Sequence, residues 1–180
     1  TAYNRYAEGV NFVDTQNVAS IIKGEIYPDS YLIITGHLDH VGIDGDEVYN
    51  GADDNGSGTV SILEIAQAFQ EAVEDGVRPK RSVVFLHVSG EEEGLLGSEY
   101  YVNNSLYPLE NTFATLNLDM IGRTDPNRGY EDEEYVYSIG SDRISKELKK
   151  ISERINEQTE NLKLDYSFDI PNDPNDFYER

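Results

Sequence analysis

Cysteine is absent from the 180-residue sequence, and histidine occurs only three times, as His37, His40 and His87. Without cysteine the chain can form no disulfide framework, no thiolate nucleophile and no cysteine-ligated zinc site. These absences exclude cysteine peptidases and cysteine-based zinc modules, and they leave the redox compartment open. Any site that requires an imidazole must draw on the three histidines.

Positive charge is also scarce. Lys and Arg number 14 against 35 Asp and Glu, which gives a formal net charge of -21. Polyanions are repelled by such a chain, so nucleic acid and anionic membrane surfaces are disfavoured partners. We interpret the charge as a solvated acidic surface. Attraction of cations and of amino-terminal ammonium groups is the weaker alternative.

Long apolar segments are missing as well. No run in the sequence approaches the ~20 residues of a membrane-spanning helix. The opening residues, Thr1 to Asn4, lack the basic and apolar regions of a signal peptide. Because the sequence opens without Met, we expect a processed or trimmed chain that has lost a signal peptide, with an extracellular or periplasmic location. The length predicts a single domain over residues 1–180.

An acidic, glycine-flanked turn lies near the middle of the chain, in the stretch Asn50–Gly58. Asp53 and Asp54 stand in this turn directly ahead of a predicted helix that begins near Ser57. Glycines permit the tight backbone of such a turn, and the start of the helix directs its free N–H groups and positive dipole end toward the carboxylates. Acid and glycine in this arrangement indicate a site.

Three predicted strands each end in acidic residues or a histidine. Tyr31–Thr35 runs into His37 and Asp39, Ser82–Val88 runs into the acidic run 91–93, and 113–118 runs into Asp119. Ligands bind at the carboxyl ends of the strands in an open α/β sheet. We therefore expect the acidic residues and the histidine to line a pocket around the acidic turn. Carboxylate oxygens together with an imidazole suit a divalent metal, and zinc accepts both kinds of ligand.

The order of the motifs is more specific than any one of them. His-x-Asp, Asp-Asp-Asn-Gly-Ser-Gly, Glu-Glu-x-Gly-Leu-Leu-Gly-Ser and Asn-x-Asp-Met-Ile-Gly follow one another between residues 37 and 122. This series closely resembles the M28 family of di-zinc peptidases, which are mostly aminopeptidases. The resemblance implies a zinc-dependent exopeptidase that acts on peptides with a free N-terminus. It also implies a three-layer α/β/α fold with a mixed, largely parallel sheet.

The resemblance assigns roles to the metal-facing residues. His37 would bind one metal, and Asp39 would accept the N–H on the other nitrogen of that imidazole. Asp54 would bridge both metals, and the peptide bond that follows it would be cis, although Asp53 competes for the role on sequence alone. Asp119 would complete the shell of the first metal.

The same resemblance separates the neighbouring glutamates. Glu91 would be the general base, which takes a proton from the attacking water and passes it to the leaving amine. Glu92 would be a metal ligand, and Glu93 would face solvent. His40 could form part of the pocket wall.

One feature departs from the family pattern. Family members have a second zinc-binding histidine toward the C-terminus, whereas all three histidines here precede Asp119. We therefore expect a fragment, a second chain that completes the domain, or natural loss of the second metal. The prediction is one strong site of His37, Asp54 and Asp119 and one weak or empty site that includes Glu92. A carboxypeptidase, a glutaminyl cyclase and a catalytically silent binding or scaffold domain are the alternatives.

Secondary structure is predicted from periodicity and turn residues. Residues 17–24 should form a strand that pairs as a hairpin with Tyr31–Thr35 through the turn at 27–30, and a surface hairpin should follow His40. His87, within a central strand, is interpreted as structural. The remaining predictions are helices at Ser57–Val73, Leu95–Asn103 and Ile144–Ile155, strands at Tyr135–Ile139 and Leu162–Phe168, and irregular segments at residues 1–14 and 170–180.

Overall fold

A computed structural model describes residues 14–128, 134–143 and 145–169. Its contacts divide the chain into two compact units, residues 1–122 and 123–180, which are described separately. That the whole chain forms one domain stays a prediction. The predicted irregular ends of the chain lie outside the described residues, except Asp14. None of the described helices has the length and apolar character needed to cross a membrane.

The first unit alternates strands and helices. Its elements are β1 (Val18–Ile22), β2 (Tyr27–His37), β3 (Gly42–Asp44), β4 (Glu47–Tyr49), α1 (Gly56–Glu74), β5 (Arg81–Val88), α2 (Leu96–Asn103), a 3-10 turn (Leu109–Asn111) and β6 (Thr112–Asn117). Strands β3 and β4 pair as the predicted surface hairpin. The two predicted helices of this unit are confirmed within one or two residues.

Four strands form the main sheet in the order β1-β5-β2-β6. Strand β1 is antiparallel to β5, and the other neighbours are parallel, which confirms a mixed, largely parallel sheet. The predicted hairpin between residues 17–24 and Tyr31–Thr35 is wrong, because β1 pairs with β5. Residues 27–30, taken as its turn, belong to β2 and absorb a register shift there. An apolar run reveals a strand but not which edge it joins.

Helices cover both faces of the sheet, and this arrangement confirms the three-layer architecture. Apolar residues of α1, including Ile62, pack with Phe85 and alternate residues of β2 and β5 on one face. Tyr101 of α2 packs with Val84 and the other alternate residues on the opposite face. Strand β5 is buried along nearly its whole length because it is central and covered on both sides.

Parallel pairing brings three strand ends to one edge of the sheet. His37 at the end of β2 is the register partner of Val88 at the end of β5, and Thr35 is the partner of Asn117 at the end of β6. The segments that follow these strands therefore start side by side. The turn before α1 reaches the same edge, since Thr59 in the first turns of α1 donates a hydrogen bond to the His37 carbonyl (2.7 Å).

The second unit contains β7 (Tyr135–Tyr137), α3 (Lys146–Gln158) and β8 (Lys163–Asp165). Strands β7 and β8 pair in parallel as a two-stranded sheet. Helix α3 begins after Ser145, whose hydroxyl accepts the N–H of Glu147 as an N-cap. Both predicted strands are present with shorter bounds, whereas the predicted helix is present but ends three residues later than Ile155. Ile144 lies outside the described residues.

Candidate metal centre

The candidate site is centred on His37, which is only 2% exposed. Its Nδ1 lies 3.0 Å from the backbone carbonyl of Asp39, and because a carbonyl can only accept, Nδ1 carries the hydrogen. Nε2 then faces three carboxylates: Asp54 at 3.2 Å, Asp119 at 3.6 Å and Glu91 at 4.0 Å. The backbone contact therefore fixes the imidazole with the nitrogen that can bind a metal turned toward the acids.

Asp54 and Asp53 are neighbours with different surroundings. Asp54 lies with His37 and Asp119 in one group of possible ligands. The side chain of Asp53 instead accepts the N–H of Gly122 at 2.8 Å. The peptide bond between Asp54 and Asn55 is cis, which confirms the prediction for this bond. Of the two acids that the sequence left in competition, Asp54 is the one whose carboxylate reaches the imidazole.

Glu91 and Glu92 lie on the turn between β5 and α2, and Asp39 holds this turn. One carboxylate oxygen of Asp39 accepts the N–H of Glu91 and the other accepts the N–H of Glu92, each at 3.1 Å. The expected hydrogen bond from His37 to the Asp39 side chain is replaced by the bond to its backbone carbonyl, and the nearer carboxylate oxygen is 3.7 Å from Nδ1. Glu93 is exposed, as predicted.

Two groups of possible ligand atoms share His37. One comprises His37, Asp54 and Asp119, the other comprises His37, Glu91 and Glu92, and within each group the ligand atoms lie within 4.8 Å of one another. The first is the predicted strong site. The second differs from the prediction, which joined Glu92 to Asp54 rather than to the imidazole. A nitrogen and several carboxylate oxygens that converge at this spacing fit the ligand preferences of zinc.

Crowded acids and partial burial shift the ionisation of these groups. Burial by itself would lower the pKa of His37, but the carboxylates of Asp119 and Glu91 raise it above its usual value. Burial raises the pKa of Asp119, Glu91 and Glu92, and neighbouring carboxylates raise it further, against the opposing effect of His37. A bound cation would relieve this repulsion between like charges.

The other two histidines lie outside both groups. His40 is exposed, and its side chain packs beside Gly51, where an added Cβ would approach it to 2.5 Å. His87 is buried, and its Nε2 lies 3.1 Å from the carbonyl of Thr59 in α1. The interpretation of His87 as a structural residue is confirmed. Among the described residues, the candidate centre therefore has one imidazole.

Two residues that the sequence motifs did not single out, Asn55 and Ser57, connect the start of α1 to the segment that carries Asp119. Asn55 caps α1 by accepting the N–H of Gly58 at 3.0 Å, and its amide donates to the carbonyl of Leu118 at 2.9 Å. Ser57 accepts the N–H of Ile121 at 3.1 Å. An asparagine directly before the first residue of a helix is a preferred N-cap, and this signal could have identified Asn55. The contact with Leu118 depends on a segment 63 residues away and carries no local signal.

Two known proteins are similar in sequence to part of this chain. "Probable glutamate carboxypeptidase VP8" of Zea mays is 34% identical over 115 residues, which cover 63% of this chain and 15% of that protein. "Aminopeptidase NAALADL1" of Mus musculus is 36% identical over 108 residues, which cover 59% of this chain and 14% of that protein. The chain thus spans less than a fifth of the length of these two relatives.

A solved structure has the same fold. The structure of LapB from Legionella pneumophila superposes with a TM-score of 0.62 at 23% identity and covers 83% of this chain and 37% of LapB. The model of peptidase family M28 matches residues 17–180. Because this match includes every residue of the candidate centre and far more than half of the sequence, the chain belongs to peptidase family M28.

Proposed function

We propose that this chain carries the catalytic centre of a zinc-dependent aminopeptidase. The observation that supports the proposal most directly is the pair of ligand groups around His37, with Glu91 among the carboxylates that face the imidazole. A family of peptidases supplies the reaction class. The arrangement of acids around one imidazole supports the proposal, because it would hold a metal ion with a base beside it.

A bound zinc ion would polarise the scissile carbonyl and lower the pKa of the attacking water toward ~7. The residues of this chain provide the remaining functions. His37, Asp54 and Asp119 would hold the ion, and Glu91 would accept the proton from the water and return it to the leaving amine. A base placed in this way contributes about 100-fold or more to the rate. Asp39 would keep Glu91 in position by accepting its N–H.

Charge favours the amino end of a peptide as the end that is recognised. The centre gathers four carboxylates and one imidazole, and the chain carries a formal net charge of -21. A substrate ammonium is attracted to such a site, whereas a substrate carboxylate is repelled. One relative is named an aminopeptidase and another a glutamate carboxypeptidase, so the assay must include both kinds of substrate.

We further propose that the chain as given binds one zinc ion tightly, through His37, Asp54 and Asp119. The second group lacks an imidazole of its own, because it shares His37 with the first. Zinc sites with three protein ligands that include histidine are common, whereas exposed carboxylates alone bind zinc weakly. Isothermal titration with zinc should give one tight equivalent. Two equally tight equivalents would contradict this assignment.

The decisive experiment replaces Glu91 with Gln in the natural protein that carries this chain. Glu91→Gln should lower turnover of an aminoacyl 4-nitroanilide by about 100-fold or more while zinc affinity changes little. Glu93→Gln is the matched control, since Glu93 is an exposed neighbour on the same turn, and it should leave turnover unchanged.

Three outcomes would contradict the proposal. Unchanged turnover in Glu91→Gln would remove the proposed base. Hydrolysis of an N-acylated peptide with a free C-terminus, with no activity on the anilide, would identify a carboxypeptidase instead. Absence of both activities in the wild-type protein would support a silent scaffold.

A further inference from the structure

The segment that carries Asp119 is attached to the start of α1 by side chains from one short stretch. Three consecutive backbone N–H groups, at residues 120–122, are accepted by Asn55 (3.4 Å), Ser57 (3.1 Å) and Asp53 (2.8 Å). The Asn55 amide also donates to the carbonyl of Leu118 (2.9 Å). The hydrogen bonds to Asn55 therefore flank Asp119 on both sides.

Packing leaves little freedom at this junction. Asn55 is 2% exposed. A Cβ added to Gly58 would lie 2.3 Å from the Leu118 carbonyl oxygen and 2.4 Å from Oδ1 of Asn55. A Cβ added to Gly122 would lie 2.8 Å from Oδ1 of Asp53. The backbone of α1 at Gly58 therefore lies close to the Leu118 carbonyl, with the buried Asn55 side chain beside both.

The backbone turns sharply directly after Asp119. Met120 has a φ of 48°, in the left-handed region that residues with a side chain seldom adopt. The N–H of this residue is directed at Oδ1 of Asn55. A conformation of this kind persists where its surroundings enforce it. Asn55 is thus bonded on both sides of the residue whose carboxylate faces His37.

We propose that Asn55 is a positioning residue that holds the Asp119 carboxylate opposite Asp54 and thereby sets the metal affinity of the centre. The proposal rests on the proposed function in taking Asp119 as a metal ligand. Asn55 directly follows Asp54 in the chain, so one residue connects the two acids. Through its side chain it would fix the separation between Asp54 and Asp119, the two carboxylates nearest to Nε2 of His37. It has no role in the chemistry itself.

The test measures zinc affinity by competition with a chelator in the 180-residue chain. Asn55→Ala should weaken zinc binding by about 10–100-fold, the range for residues that orient metal ligands. Ser82→Ala is the matched control, because Ser82 is also buried and its hydroxyl makes two hydrogen bonds where the Asn55 side chain makes three, but Ser82 lies at the end of β5 away from the candidate centre. That control should bind zinc as the wild type does, even where it unfolds at lower temperature.

A double-mutant cycle with Asp119→Asn distinguishes positioning from general loosening. If Asn55 acts through Asp119, Asn55→Ala should change zinc affinity by no more than about twofold in the Asp119→Asn background, which is the error with which independent mutational effects add. A full additional loss in that background would overturn the proposal. Should Asn55→Ala fail to fold, Asn55→Asp keeps the oxygens for Gly58 and Met120, removes the donor to Leu118, and should give a smaller loss of affinity.

A measurement without metal separates this proposal from the proposed function. In the metal-free chain, Asn55→Ala should accelerate hydrogen exchange at Ile121 and Gly122, whose N–H groups bond to Ser57 and Asp53 rather than to Asn55. Unchanged exchange there would overturn the positioning role. Wild-type protein that binds no zinc would overturn the proposed function and the assignment of Asp119, while the exchange result would still show whether Asn55 holds the segment.

Discussion

Different interactions stabilise the two units of the chain, each within itself. In residues 1–122, apolar side chains fill both faces of the main sheet, and most of β5 is buried. In the described part of residues 123–180, no residue as a whole reaches that degree of burial. Arg128 makes the main contacts there. Its guanidinium carbon lies 3.7 Å from the ring centroid of Tyr135, and the guanidinium donates a hydrogen bond to the carboxylate of Asp165.

The difference shows which kind of frame supports the candidate centre. All of its residues belong to the first unit, whose stability derives from apolar burial and responds little to salt. The second unit depends on a guanidinium, two tyrosines and carboxylates, so it should respond to pH and ionic strength. A site that must hold four carboxylates close together needs the first kind of frame, because the repulsion among them has to be offset elsewhere.

The largest effect should come from the core of the first unit. Phe85→Ala should lower the free energy of unfolding by about 3–5 kcal/mol, because the ring is 2% exposed and packs edge-on against Phe69. Urea unfolding followed by circular dichroism measures the change. Phe113→Ala is the control, since that ring on β6 is 60% exposed, and it should cost no more than about 1 kcal/mol. Equal losses would refute the contrast between core and edge.

The next effect concerns the site within the stable frame. Asp39→Asn should weaken zinc binding by about 10–100-fold, because the amide offers one acceptor where the turn supplies two N–H donors. The free energy of unfolding should change little. Calorimetric titration with zinc measures the affinity, and Asp44→Asn on the exposed hairpin is the control. An unchanged zinc affinity would show that the turn carrying Glu91 keeps its conformation without the Asp39 carboxylate.

A smaller effect is expected in the second unit. Arg128→Lys keeps the charge but loses the planar group that lies against Tyr135, and should cost about 1 kcal/mol in the stability of this unit. The NMR signals of Tyr135 and Tyr137 during urea titration report on this unit alone. Arg154→Lys, at an exposed position of α3, provides the comparison. A loss as large as that of Phe85→Ala would mean that the second unit has a core after all.

The smallest effect is a dependence on pH. Hydrogen bonds from Arg128 and Ser167 hold the pKa of Asp165 well below its usual range. Because the folded pKa is depressed, the stabilisation by this carboxylate is complete above the unfolded pKa of about 3.9 and is lost as the pH falls below that value. The second unit should therefore weaken between about pH 4 and pH 2, and Asp165→Asn should flatten this dependence. A carboxyl carbon signal of Asp165 that titrates with a midpoint near its ordinary pKa would contradict the prediction.

The local sequence was sufficient to predict most helices and strands, because the spacing of apolar residues in each was distinct. Residues 82–88 read as a central strand, and Ile62 and Phe69 placed α1 on the sheet. The partner of β1 could not be predicted in the same way. Its apolar residues would have suited either neighbour, and only the folded chain paired it with β5.

The motifs alone determined that an imidazole and several acids would meet at the carboxyl end of a parallel sheet, because each follows an apolar strand within a few residues. Only the folded chain decided how they meet. In the fold, the Asp54 carboxylate faces His37, whereas the Asp53 carboxylate accepts the N–H of Gly122. The Asp39 carboxylate accepts a backbone N–H of the turn that carries Glu91. Side chains of adjacent residues are equivalent in sequence, and hydrogen bonds to distant backbone groups are what distinguish them.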